Sequence, residues 1–305
     1  MSLFRRHFNW HHATIRRPVA HDIVALRTLL YSAERRLLSS TSTEAETLVL
    51  SDPALVVEAE GRIQGVLGIG WLTPPVAWIR TLVIDGRLPI DEMLQRLLPP
   101  LYQQIASHGI TLVAVTVDDW SLSWLRGPLE RTGYEQMVDV IGYQKLHMTL
   151  PSRGSEAVVI RPAQPDDLAA VLELDHACFP VPWVKGEEIF APAIVESPCF
   201  FIALLNSLPV GYAFATVHQG GRVIHLVRIA VAPQQQGQGV GVRLLAEVVR
   251  FCARQGTTVL SLNTQADNYR AQRLYEWFGF TRSDDRQRVF GSSLAAGAAN
   301  GTTGS

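Results

Sequence analysis

The chain has 305 residues, 47% hydrophobic and 18% charged, with a formal net charge of -1. That length suits two globular domains of roughly 100–200 residues, each with a sizeable core. A near-neutral chain carries no electrostatic pull toward nucleic acid, so no nucleic-acid partner is expected.

Residues 1–12 read as an N-terminal arm, and the basic cluster at the start, Arg5, Arg6, Arg16 and Arg17, reads as solvated surface. The arm has no uninterrupted apolar core and no small-residue cleavage site. No apolar run in the chain approaches the roughly 20 residues of a membrane span, so the expectation is a cytoplasmic protein with no membrane partner. Three scattered cysteines, Cys178, Cys199 and Cys252, are too few for a disulfide framework or a zinc site, and no metal is expected.

From Ala13 onward the chain is written twice. Ala13–Leu30 (ATIRRPVAHDIVALRTLL) and Val158–Asp175 (VVIRPAQPDDLAAVLELD) both predict a short strand, a proline, an acidic helix start and an amphipathic helix. Arg80-Thr81-Leu82-Val83 aligns with Arg228-Ile229-Ala230-Val231. Each leads to a helix with paired leucines, Leu97-Leu98 or Leu244-Leu245, that ends at a glycine, Gly109 or Gly256. A buried-looking strand and another helix follow, closing at Thr132-Gly133-Tyr134 or Phe278-Gly279-Phe280.

In the second half three successive strands, near Phe200–Leu205, Val210–His218 and Arg222–Val231, predict an antiparallel meander. The later strand–helix–strand predicts a parallel crossover. The expected class is α/β: two tandem domains, each a mixed, mostly antiparallel central sheet flanked by helices. The turn-rich stretch 150–156 is the expected linker, dividing a first domain at 13–149 from a second at 157–290. The small, polar tail 291–305 is expected to be disordered.

The informative stretch lies between a strand ending at Val231 and an amphipathic helix. Pro233 stops the strand, and Gln236-Gly237-Gln238-Gly239-Val240-Gly241 follows. Glycines here let backbone approach a ligand closely, and the free N–H groups of the helix's first turn suit a pyrophosphate. The turn lacks the Lys-Ser/Thr of a P-loop and lies too late in its domain for a dinucleotide fold.

This turn resembles the Q/R-x-x-G-x-G/A signature of the GNAT (GCN5-related) N-acetyltransferases, as Gln236-x-x-Gly239-x-Gly241. Downstream, Asn268-x-x-Ala271-x-x-Leu274-Tyr275-x-x-x-Gly279-Phe280 resembles the same family's N-x-x-A-x-x-L-Y-x-x-x-G-F pattern. The resemblance covers the second half closely and the first in outline. It implies an enzyme with acetyl-CoA as co-substrate and a primary amine as acceptor. The pyrophosphate would lie on the backbone from Gln236 to Gly241, and the pantetheine arm would pair with Ile229-Ala230-Val231 as an added strand. Asn268 and Ala271 would meet the same arm. Tyr275 would protonate the departing thiolate. The alternative is a non-catalytic acetyl-CoA sensor or scaffold.

The first half has lost these features. Asp85–Glu92 (DGRLPIDE) replaces the glycine turn, putting Asp91 and Glu92 where a phosphate would sit, and Leu129 stands opposite Tyr275. An inactive, degenerate domain is the expected reading.

On the acceptor side, Phe179-Pro180-Val181-Pro182-Trp183 resembles a stretch of protein N-terminal acetyltransferases, including those acting on ribosomal-protein alanine. Phe179, Pro180 and Trp183 are therefore candidate acceptor contacts. The tandem layout resembles mycothiol synthase. The acceptor expected is a peptide N-terminus or a small metabolite. Asn263 stands where the bacterial enzymes carry a glutamate base, and an amide takes no proton, so His225 on the preceding strand is the candidate base. Asp284–Phe290 offers one short final strand, and a duplicated chain suits a monomer or a homodimer.

Overall fold

A computed structural model describes residues 8–294; of the tail expected to be disordered, 291–293 instead end the last strand, paired to residues 112–114, and 295–305 lie outside the described residues. Among them no helix is long and apolar enough to cross a membrane. The chain divides into two compact units. One runs to Met137 and resumes at Gln287; the other is Val138–Arg286.

In chain order the elements are β1 (Ala13–Arg16), α1 (Ile23–Ser32), β2 (Arg35–Leu38), α2 (Ser42–Ser51), β3 (Ala54–Ala59), β4 (Arg62–Gly70), β5 (Val76–Ile84), α3 (Ile90–Ala106), β6 (Leu112–Asp118), α4 (Asp119–Arg131) and β7 (Glu135–Lys145). Then come β8 (Val159–Pro162), α5 (Leu168–Cys178), α6 (Glu187–Glu196), β9 (Phe200–Leu205), β10 (Leu208–His218), β11 (Val223–Val231), α7 (Val240–Gln255), β12 (Val259–Gln265), α8 (Tyr269–Trp277) and β13 (Thr281–Ser293).

The second unit holds the antiparallel meander β8–β9–β10–β11 and the parallel crossover β11–α7–β12. Parallel neighbours need a crossover connection, usually a helix packed on the sheet. α7 supplies it through Val240, Leu244, Leu245, Val248, Val249 and Cys252, all buried on one face at helical spacing. Each such leucine or valine, fully buried, contributes about 1.5–3 kcal/mol. α5 and α6 cover the other face with Val171, Leu174, Phe190 and Ile194 against Phe200, Ile202 and Tyr212.

The last strands differ from the expected arrangement. Residues 140–145 of β7, placed by sequence in the first domain, pair antiparallel with β12 inside the second unit. Beyond β7 lies the first part of β13, where Gly142 leaves room for Ser283 and Asp285. Residues 287–293 of β13 pair with β6 in the first unit. The final strand is thus thirteen residues long and divided between the units. The stretch 150–156 is no boundary either: it lies within the second unit, where Gly154 packs so closely on Arg243 of α7 that a Cβ would fall 2.5 Å from its backbone nitrogen.

The first unit's sheet runs β1–β3–β4–β5–β6 and the end of β13, with β2 added to β5. Its β4–β5 and the second unit's β10–β11 each carry a bulge, at Arg80 (Gly68 pairs Thr81, Ile69 pairs Ile79) and at Val227 (Phe214 pairs Arg228, Ala215 pairs Leu226). A bulge inserts one unpaired residue and shifts the side-chain alternation by one. Matching the two bulges sets Thr81-Leu82-Val83-Ile84 against Arg228-Ile229-Ala230-Val231, one residue away from the alignment drawn from sequence.

Candidate active site of the second unit

Pairing between β11 and β12 stops at Leu226–Leu262, and beyond it the strands part. A cavity of about 600 Å3 opens there, lined by Leu226–Ile229 and Val231 of β11, 263–265 of β12, the glycine turn and α8. Two consequences follow from strand physics. The β11 edge from Val227 to Val231 lacks a neighbour on that side, so its backbone can accept an added strand. And the bulge at Val227 brings Ile229 and Val231 onto the face that Ile224 and Leu226 occupy before it, toward α7.

The glycine turn sits at the start of α7. Gly237 and Gly239 have φ of +84° and +81°, a conformation that L side chains rarely adopt, which is why glycine stands at both. A Cβ on Gly239 would also lie 3.3 Å from the Ser155 nitrogen. Gly239 caps α7 without a side-chain bond, and no acidic residue sits in the first turn, so the N–H groups and the positive dipole end are uncompensated. Gln236, Gly237, Gly239 and Gly241 line the cavity; Gln238 and Val240 do not, Val240 being buried in the core.

α8 forms the opposite wall with Asn268, Arg270, Ala271, Leu274 and Tyr275. The Asn268 side-chain oxygen accepts from the Ala271 N–H at 3.2 Å, capping the helix. That leaves its NH2 group as the end available to a ligand. Tyr275 is 5% exposed and packs against Tyr143 and Phe280, yet its hydroxyl makes no hydrogen bond among the described residues. Burial raises its pKa well above the ordinary phenol value, so the proton stays on at neutral pH.

Four further candidates from sequence lie elsewhere. Ala230 packs on the opposite face, among α5 and α6 residues, and its backbone is turned to β10, where it pairs with Tyr212. His225 precedes the bulge and is not among the cavity residues. Its Nδ1 lies 2.9 Å from the Ser261 hydroxyl, and burial, then the neighbouring His218, lowers its pKa. Pro180 and Trp183 do not line the cavity, whereas Phe179 does.

Sequence reading missed Arg228, Cys178 and Arg270, all cavity residues. Arg228 lies 3.2 Å from Asp175, and the two are 8% and 0% exposed at their side chains. Tyr212 donates to Asp175 at 2.5 Å, the Lys185 N–H donates to it at 2.8 Å, and Arg228 donates to the Trp183 carbonyl while covering the Phe179 ring at 4.0 Å. This buried network thus holds the 179–183 loop. Cys178, next to Phe179, donates to the Val231 carbonyl at 3.2 Å; burial raises its pKa, so it is a thiol. The position of Arg270, two residues past Asn268 in the motif, was the one signal available for it.

The first unit differs at each of these points. β2 pairs Leu38 with Thr81 and Arg35 with Ile84, covering the edge that corresponds to Arg228–Val231. Its turn, 85–89, has five residues against eight at 232–239, and Leu88 in it is buried. Asp91 and Glu92 occupy the first turn of α3.

Residues 168–280 match the family model described as Acetyltransferase (GNAT) family. A Bacillus subtilis protein named as a ribosomal protein bS18-alanine N-acetyltransferase is 26% identical over 133 residues, 43% of this chain and 85% of that protein. A mycothiol acetyltransferase of Streptomyces scabiei is 33% identical over 96 residues, 32% of this chain but only 30% of that protein. Among solved structures, a GCN5-related N-acetyltransferase from Sphaerobacter thermophilus superimposes with a TM-score of 0.67 at 18% identity, over 92% of this chain and 96% of that one. A tandem GNAT protein from the clavulanic acid pathway gives 0.60 at 13%, over 92% and 98%. The chain therefore has the tandem GNAT fold, and its residues 168–280 form a domain of the GNAT acetyltransferase family.

Proposed function

We propose that the second unit transfers an acetyl group from acetyl-CoA to a primary amine, at one site per chain. The observation that carries this reading is the open β11 edge lying between an uncapped, glycine-built helix start and the unpartnered Tyr275 hydroxyl. The pyrophosphate rests on N–H groups from Gln236 to Gly241, and the pantetheine arm adds as a strand along Val227–Val231, with the Asn268 amide alongside. Acetyl-CoA supplies the thioester. The cavity holds it beside the amine, which lowers the barrier through proximity. A β11 backbone N–H polarises the carbonyl, and Tyr275 donates its proton to the leaving sulfur. Among the described residues no carboxylate or imidazole lines the cavity, so the proton of the amine leaves through water.

The acceptor enters past Phe179, on the wall held by Arg228 and Asp175. We favour a peptide α-amine or a small-molecule amine. The relatives' names, an alanine N-acetyltransferase and a mycothiol acetyltransferase, fit that range. The first unit is read as inactive, because β2 occupies its strand edge and acidic residues begin its helix.

The test is calorimetric titration of the full chain with acetyl-CoA, followed by CoA-thiol release across a panel of amines and peptides. One site is expected, lost in Gly239→Glu, where a carboxylate meets the pyrophosphate. Two equivalent sites, or binding unaltered in Gly239→Glu, would refute the reading.

A further inference from the structure

The cavity mouth carries a cation with no anion. Arg270 is exposed at the start of α8, lines the cavity, and has no carboxylate partner among the described residues. Its hydrogen bond is to a neutral group: Nη1 donates to Gln236 Oε1 at 2.6 Å. Its Nη2 lies 3.7 Å from where a Cβ on Gly237 would stand. The guanidinium therefore rests against the glycine turn, beside the uncapped N–H groups of α7.

Gln236 is held at both ends. While its oxygen accepts from Arg270, its Nε2 donates to the Val231 carbonyl at 3.1 Å. That carbonyl terminates β11, and the Cys178 thiol also donates to it. Arg270, Gln236 and Val231 thus form a chain of hydrogen bonds running from the cradle to the last acceptor of the strand edge.

We propose that Arg270 is a phosphate-binding residue of the acyl-donor site and that, in the ligand-free protein, it latches Gln236 across the end of the β11 edge. The inference rests on the donor reading above and adds to it a residue and a coupling. An arginine bound to an amide oxygen exchanges a neutral acceptor for an anionic one when a phosphate arrives, and charge-assisted bonds are about twice as strong. Transfer of Arg270 to the phosphate releases Gln236, and release of Gln236 leaves the Val231 carbonyl to an N–H of the incoming arm. Occupation of the phosphate end thereby opens the far end of the strand edge.

The experiment measures Kd by calorimetry on the full chain for CoA, 3′-dephospho-CoA and phosphate-free pantetheine. The proteins are wild type, Arg270→Gln, Arg270→Lys and Gln236→Ala. Arg270→Gln is expected to weaken CoA about tenfold, Arg270→Lys less, and neither to weaken pantetheine. A loss that persists with 3′-dephospho-CoA places the contact at the pyrophosphate; a loss seen only with CoA places it at the 3′-phosphate. Either supports the proposal. Gln236→Ala, which removes the latch, is expected to leave pantetheine bound at least as tightly as in wild type. Equal CoA affinity in wild type and Arg270→Gln, or equal losses for CoA and pantetheine, would overturn it. Failure of the donor reading itself looks different: wild type would not bind CoA at all.

Discussion

Tyr275 and His225 were both drawn from sequence as proton-transfer groups, and their surroundings separate them. Tyr275 faces the cavity with an unpartnered hydroxyl kept protonated by burial. Tyr275→Phe should lower kcat by about 10- to 100-fold with acetyl-CoA affinity little changed, because the hydroxyl acts as the bond to sulfur breaks. His225 bonds Ser261 outside the cavity. His225→Gln should leave the acidic limb of the kcat/KM profile where it is; a flattened limb would return His225 to the mechanism. His225 has a stability signature instead. An unfolded imidazole titrates near 6.5, and burial lowers the folded value. Between the two values the unfolded state binds the extra proton, so the stability held above about pH 6.5 declines as pH falls through that window. Denaturant titrations at pH 7.5 and pH 5.5 should show a larger drop for wild type than for His225→Gln, and equal drops would contradict this assignment.

Among the elements, the Asp175–Arg228 pair ties α5, β10, β11 and the 179–183 loop together inside the second unit. Asp175→Ala leaves a guanidinium buried without its counter-ion and strands the Tyr212 hydroxyl and the Lys185 N–H. Removing one partner of such a pair costs about 3–5 kcal/mol. Urea titration should give a loss of that order, and a loss under about 1 kcal/mol would mean the pair is solvated. The motifs on either side of α7 were legible in sequence because backbone demands expose them: two glycines at positive φ, an asparagine cap, a helix periodicity. β2 was not legible. Arg35–Leu38 is too short for a pattern of its own, and it becomes a strand because β5 offers an unpaired edge.

At the scale of the whole molecule, the second unit includes β7, which sequence order assigns to the first half. A chain beginning at Gly154 would lack it and bare the β12 edge from Leu260 to Gln265, an invitation to aggregate. A chain beginning at Val138 retains that pairing. Light scattering of the two truncated chains should show the shorter one aggregating and the longer one markedly more soluble; equal solubility would show that β7 is dispensable. Sequence alone determined the duplicated α/β plan, the cofactor-type turn and the tyrosine, since each is written in contiguous residues under local backbone constraints. Only the tertiary structure decided which half each last strand serves, that the bulge at Val227 changes which side chains face the cavity, and that Arg228, Cys178 and Arg270 meet there. Strand pairing and bulge register are set between segments far apart in the chain, by which edge is free and which face must be buried, and no local pattern of residues encodes that choice.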